Sequence, residues 1–364
     1  MGLAGVTAYM PGVGERPDIG LVTEPQAQYI CTRDSTALQI LLDQAEAAAT
    51  VPWHVRDENT SAPINFQKYP KACWYQGQRY GTPFVLTVKT PVTIDNAHEP
   101  ALAYLPYLLT GDPYHLETLQ FQATWNYGQC SVGYRPTLGQ ARQFAWDMRT
   151  LGQCARITPA AVPSWLLPQS YWAAFLTMHR LFFENTYVNS ANLLQTLFRN
   201  TDNLAAHGAD GTRPAGTWCS AWQSEFLGAV FGWLVSMGLV EWRTAFDWLI
   251  GGTVARTNGT SGWPRAQAVP YEMMLRNSNT SPIYTSWAEA WVGNNTISGL
   301  TYVDPNTWVT PDMTYLTYAR GALTYADKLG TVLTDNLSWA TGQLNAKKWK
   351  TSYKWRLGPG LLLV

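Results

Sequence analysis

The sequence predicts an all-α fold assembled from stacked helical hairpins. Three features point to it. Apolar residues recur at helical spacing along most of the chain after Asn96, and Thr110-Gly111-Asp112-Pro113 joins two such stretches through a very short turn. Short turns also alternate with long connections rich in Gly, Asn and Pro, such as Ala209–Thr217 and Arg256–Pro270.

Taken in order, residues 1–32 combine Gly, Pro and polar residues without periodicity and read as an extended arm. Ser35–Thr50 places Leu38, Leu41 and Leu42 at helical spacing behind a Ser N-cap candidate. Val51–Asn96 is irregular, interrupted by Pro52, Pro63, Pro70, Pro83 and Pro91, with one strand-like piece at Phe84–Val88. Connections of that length in compact domains usually carry function. The next helix has Pro100 in its first turn and runs to Thr110. There Gly111 suits the left-handed C′ position, Asp112 the following N-cap and Pro113 the first helical residue. Further helices are expected at Leu138–Ile157, Ser164–Glu184, Ser190–Ala206, Cys219–Met237, Glu241–Ala255, Ser286–Val292 and Pro311–Lys328, about ten in all.

If the hairpins close in a ring, the long connections gather on one face and line a mouth. No repeat of fixed period is present, so an irregular (α/α) toroid is expected rather than a regular solenoid. The predicted organisation is an arm at 1–32, a helical-hairpin domain at 33–346 and a basic-then-apolar tail at 347–364, which reads as a packed end or part of an interface.

Composition narrows the function classes. A chain of 364 residues is long enough for two or three domains of about 150. With 46% hydrophobic and 14% charged residues it can bury a large core and lacks the composition of a disordered chain. Twenty-five basic and 25 acidic side chains cancel, which argues against a nucleic-acid binder and a polybasic membrane adaptor. No apolar run approaches the roughly 18 residues of a membrane span, and no signal peptide is visible. Cys31, Cys73, Cys130, Cys154 and Cys219 show no C-x-x-C spacing, so buried thiols are expected rather than a zinc site or a disulfide framework. The 18 Trp and 19 Tyr are the unusual feature. Aromatic faces stack on the apolar C–H faces of sugar rings, so a cleft rich in Trp and Tyr and poor in charge suits carbohydrate, although it equally suits a hydrophobic partner.

Three constellations are candidates for chemistry. In Leu138–Ile157, Phe144, Met148, Leu151 and Ala155 form an ordinary core stripe, while Arg142, Trp146 and Arg149 are spaced i, i+4, i+7 on a second face. On an inner helix that second face would look into a cavity, where two guanidinium forks and an indole would bind an acidic sugar; on an outer helix it would be a solvated arginine pair. Asp95-Asn96-Ala97-His98-Glu99-Pro100 opens the helix that runs to Thr110. His98 is a candidate general base and Tyr104 or Tyr107 a candidate phenolic acid, each with packing as the alternative. Trp53-His54-Val55-Arg56-Asp57-Glu58, in the long early loop, is either a surface salt-bridge cluster or a substrate-facing lip contributed by Trp53, His54 and Arg56. The five histidines lack H-x-x-x-H and H-x-H spacing, and no phosphate-cradling loop or nucleophile elbow occurs, so no metal and no cofactor is expected.

The stretch DNAHEPALAYLPYLLTGDPYHLETLQFQATWNYG, followed by ARQFAWDMRTLGQCARITP, resembles uncharacterised bacterial and phage proteins related to (α/α) toroid carbohydrate-active enzymes, a group that includes six-hairpin glycosidases and polysaccharide lyases. The resemblance is best over residues 95–160 and implies an incomplete or full six-hairpin barrel with a carbohydrate cleft. It implies one of two chemistries. In a lyase, Arg142 would neutralise a uronate, His98 would act as base and Tyr104 as acid, with Trp53, His54, Arg56, Trp146 and Arg149 binding substrate. In an inverting hydrolase two carboxyl groups about 6.5–9.5 Å apart would act instead, with Glu99, Asp147, Glu184, Asp210, Glu225 and Glu289 as candidates. The expected function is therefore cleavage of an acidic polysaccharide, with β-elimination preferred for the Arg-Trp-Arg face. A glycan-binding or virion-associated structural module within a larger assembly is the alternative from another class.

Overall fold

A computed structural model of the chain describes residues 19–74, 99–129, 141–190, 192–197, 218–270, 273–277, 281–296, 313–348 and 353–357. Among the described residues the fold is all-α, with eleven α-helices and one antiparallel pair of two-residue strands, β1 (Trp218–Cys219) and β2 (Met273–Met274). The chain divides into two compact units. The first comprises residues 1–139, 143–182 and 364, and the second residues 140–142 and 183–363.

In the first unit, α1 (Glu24–Thr32) lies inside the segment expected to be an arm. Pro25 suits its first turn, and it ends on Arg33 in the left-handed conformation at φ 58°. The preceding residues Ile19, Leu21 and Val22 are buried, so this stretch belongs to the core. Helix α2 (Ser35–Ala48) is capped one residue upstream of the expected Ser35: Asp34 accepts the amide of Ala37 at 2.7 Å. Residues 51–74 form no helix, and their one ladder contact is an isolated bridge between Arg56 and Pro63.

The turn between α3 (Tyr104–Thr110) and α4 (Pro113–Gly128) forms residue by residue as its sequence dictates. Gly111 takes φ 70° and donates to Tyr107, Asp112 accepts the amide of Tyr114 at 2.9 Å, and Pro113 begins α4. Helix α3 starts later than expected, however, because the carbonyls of residues 99–102 accept side-chain donors from other helices instead of the amides of a first helical turn. Helix α5 (Ala141–Ile157) matches its expected end, and α6 (Gln169–Phe183) begins after Pro168, which disfavours helical geometry at Leu167.

The second unit is organised on α7 (Ala221–Ser236), buried at every position from Ala221 to Val235. Its sequence, AWQSEFLGAVFGWLVS, has one charge and no polar face, as a helix surrounded by protein requires. Helices α8 (Arg243–Thr257) and α10 (Met313–Lys328) pack against it. Close approach to α10 requires Gly232, where an added Cβ would stand 2.5 Å from the Cβ of Tyr325. Helices α9 (Trp287–Thr296) and α11 (Asn336–Ala346) complete the unit, and α11 was not expected. In the tail Trp355 is buried against Tyr318 and Phe226, while Arg320 of α10 donates to its carbonyl.

The expected helix Ser190–Ala206 does not form over residues 192–197. Asn192 accepts the amide of Leu194 and donates to the carbonyl of Thr196, a local alternative to helical hydrogen bonding. Residues 198–206, and the strand-like piece Phe84–Val88, lie outside the described residues.

Candidate functional site

The first unit concentrates buried polar side chains on α1, α4 and α5, and several of them donate to backbone carbonyls. Arg149 is fully buried and donates to the carbonyls of Gly20 at 3.1 Å and Glu99 at 2.9 Å, and to the Thr150 hydroxyl at 3.2 Å. Gln122 of α4 donates to the carbonyl of Pro100 at 2.6 Å, and Gln26 of α1 to those of Ala101 at 2.6 Å and Leu102 at 3.2 Å. Four consecutive carbonyls, 99 to 102, are thus held by side chains of three helices. Gln153, one turn beyond Arg149, reaches Leu21 in the same manner. A buried irregular backbone must find hydrogen-bond partners, and long amide and guanidinium side chains supply them here.

This clamp explains where the expected Arg-Trp-Arg face lies. Trp146 is fully buried, with the Arg149 guanidinium 4.6 Å from its ring centre. Arg149 is held against Gly20 and Glu99 within the first unit. Arg142 is half-buried and separates from them: its amide donates to Gln223 and its guanidinium stands 6.0 Å from the Trp222 ring, both on α7. Tyr104 opens α3 with 3% of its surface exposed, and burial pushes its hydroxyl up to about 12. His98 lies outside the described residues.

The early loop builds a lid over Phe121 of α4. Trp53 is fully buried. The His54 ring is 4.9 Å from Phe121, and the Arg56 guanidinium lies 4.4 Å above the same ring. Arg56 also pairs with Glu117 at 2.8 Å and donates to the carbonyl of Ser61 at 2.8 Å. Burial, and then the Arg56 charge, hold the imidazole of His54 below its ordinary value, so it is neutral at pH 7. Aromatic, cation and carboxylate thus meet in one cluster on α4.

The second unit holds a different arrangement. Glu225 of α7 and Arg256 of α8 are buried to 0% and 1% exposure and paired at 2.8 Å. Arg256 also donates through Nε to the carbonyl of Ala268 at 2.9 Å and lies 5.1 Å above the Trp287 ring. Trp263, Trp287 and Trp291 continue the aromatic surface, with ring centres 5.3 to 5.6 Å apart. Desolvation raises the Glu225 carboxyl to about 7, against the opposing pull of Arg256. A carboxyl in that range can give or take a proton near neutral pH.

Of the other carboxylates proposed for hydrolysis, Glu99 and Asp147 are buried in the first unit, Glu184 is half-exposed and Glu289 exposed; Asp210 lies outside the described residues. Sequence spacing singles out neither Glu225 nor the clamp. The legible signal for Glu225 is that it is the sole charge on an otherwise uncharged helix. Cys154 is a buried free thiol whose ionisation burial opposes. Among the described residues no group of three or more His, Cys, Asp or Glu could hold a metal ion, and no helix is long and apolar enough to cross a membrane. Comparison with protein-family models, curated proteins and solved structures finds no match for this chain.

Proposed function

We propose that this chain is a carbohydrate-active enzyme of the (α/α) toroid kind that cleaves an acidic polysaccharide, with His98 as the proton-abstracting base. The observation that supports this most is the four-carbonyl clamp. A catalytic base needs a support that does not yield, and the residues that follow His98 in sequence are held by Arg149, Gln122 and Gln26. Arg149 then acts as a positioning residue rather than as a ligand for sugar. Arg142 is half-buried beside Trp222. Ring closure of the hairpins and the polysaccharide substrate belong to this proposal.

A second reading, hydrolysis, is favoured by Glu225. Glycoside hydrolysis needs a carboxyl group that still holds its proton near neutral pH, and a value of about 7 meets that need.

One experiment separates the two. The protein, His98→Ala and Glu225→Gln are incubated with a panel of uronic-acid and neutral polysaccharides, and ultraviolet absorbance of unsaturated products is read alongside new reducing ends. Elimination predicts both signals together and their loss in His98→Ala. Hydrolysis predicts reducing ends alone and their loss in Glu225→Gln. Binding to the panel without products of either kind would replace both with a glycan-binding module.

A further inference from the structure

The buried and half-buried arginines of the second unit have clear employment, with one exception. Arg256 is paired with Glu225, Arg265 with Asp335, and Arg320 with the carbonyl of Trp355. Arg276 has 9% of its surface exposed, and its buried Nε finds no acceptor among the described residues. It also has no carboxylate partner and no ring beneath it among those residues. A buried cation without a counter-charge is unfavourable, and such groups ordinarily pair, bind a ligand or shed their charge. A guanidinium keeps its charge, and an anionic ligand would supply the missing counter-charge.

The surroundings are built rather than loose. Arg276 lies two residues beyond β2, and the strand is locked on α9 by Asn294, whose side chain accepts the amide of Met274 and donates to its carbonyl. Tyr284 bonds the residues on both sides of Arg276: its amide donates to the carbonyl of Leu275 and its hydroxyl to the Asn277 side chain. The nearby carboxylate of Glu289 is occupied by the amide and hydroxyl of Thr285 at 2.7 and 2.9 Å. The residues on either side of Arg276 are thus fixed, and its side chain keeps a small opening to solvent.

We infer that Arg276 is a receptor for the carboxylate of an acidic sugar, held through the planar fork of its guanidinium. This rests on the proposed acidic polysaccharide ligand, and it adds the residue that selects uronate over neutral sugar.

The test measures binding and melting rather than turnover. Wild type, Arg276→Gln and Arg276→Lys are titrated calorimetrically with galacturonate trisaccharide, a neutral glucose trisaccharide and inorganic phosphate, and melted with and without each. Wild type is expected to bind the uronate at least tenfold more tightly than the neutral sugar and to melt higher in its presence. Arg276→Gln should lose that preference while melting, without ligand, no lower than wild type, because it removes an uncompensated buried charge. Arg276→Lys should keep part of it, lacking the bidentate fork. Phosphate binding that equals the uronate and shares its dependence on Arg276 would replace the sugar carboxylate with a general oxyanion and overturn the assignment to uronate. Equal uronate binding by wild type and Arg276→Gln, absence of uronate binding, or a lower melting temperature for ligand-free Arg276→Gln would each overturn it as well. If uronate binds through Arg276 but no polysaccharide is cut, the cleavage proposal fails and this one stands; cleavage that ignores Arg276 gives the reverse.

Discussion

Arg149 in the first unit and Arg256 in the second are both buried to within 1% of complete enclosure, yet they are used differently. Arg149 donates to the carbonyls of two irregular segments and to a hydroxyl. Arg256 divides its donors between one carbonyl and the carboxylate of Glu225. The first arrangement fixes two stretches of irregular backbone. The second places an ionisable carboxyl in a desolvated position, where its proton affinity rises into the neutral range. The same residue type, equally buried, makes a scaffold in one unit and a proton-active pair in the other.

The largest expected effect breaks the second arrangement. Arg256→Met strands Glu225 in the core and is expected to cost about 3–5 kcal/mol at pH 8, as loss of one partner of a buried ion pair does. At pH 5 the cost should shrink because Glu225 can take up a proton; urea midpoints at the two pH values check this. Arg149→Met orphans the carbonyls of Gly20 and Glu99 and should cost about 3 kcal/mol, at about 1–3 kcal/mol per unsatisfied group.

Two smaller substitutions sharpen the contrast by perturbing each unit away from its arginine. Gly232→Ala drives a methyl group toward Tyr325 and should lower stability by about 1–3 kcal/mol, measurable by thermal melting. Asp112→Ala removes the cap of α4 and should cost about 1 kcal/mol in the same assay. Gly232→Ala should leave the pH dependence of the urea midpoint unchanged.

How far these differences were legible in the sequence depends on the range of the forces involved. The Thr110–Pro113 turn was readable because left-handed glycine, capping aspartate and first-turn proline act within a few residues of one another. Helices α2, α5, α7, α8 and α10 were found within a few residues of their ends from apolar spacing. Helix α1 was missed because it is short and follows a stretch rich in glycine and proline, and the late start of α3 because its cause is non-local: Gln26, Gln122 and Arg149 come from 22 to 76 residues away. Arg142, Trp146 and Arg149 do share a helical spacing, but periodicity does not say what covers a face. For Arg149 that cover includes the protein's own backbone. Glu225 was one candidate among six because its proton affinity is set by burial and by Arg256, 31 residues away.

The most direct test of the contrast between the two arginines is the pH dependence of stability in wild type and Glu225→Gln, followed by urea denaturation from pH 4 to pH 8. The Glu225 carboxyl titrates near 7 when folded and near 4.5 when unfolded, so the native state holds the proton more tightly. Its contribution is complete below pH 4.5 and is lost as the pH rises through 7. Wild type should therefore lose stability relative to Glu225→Gln across that window, by at most about 3 kcal/mol. Parallel profiles between pH 4.5 and 7 would show that the carboxyl titrates as in the unfolded chain and would contradict the account.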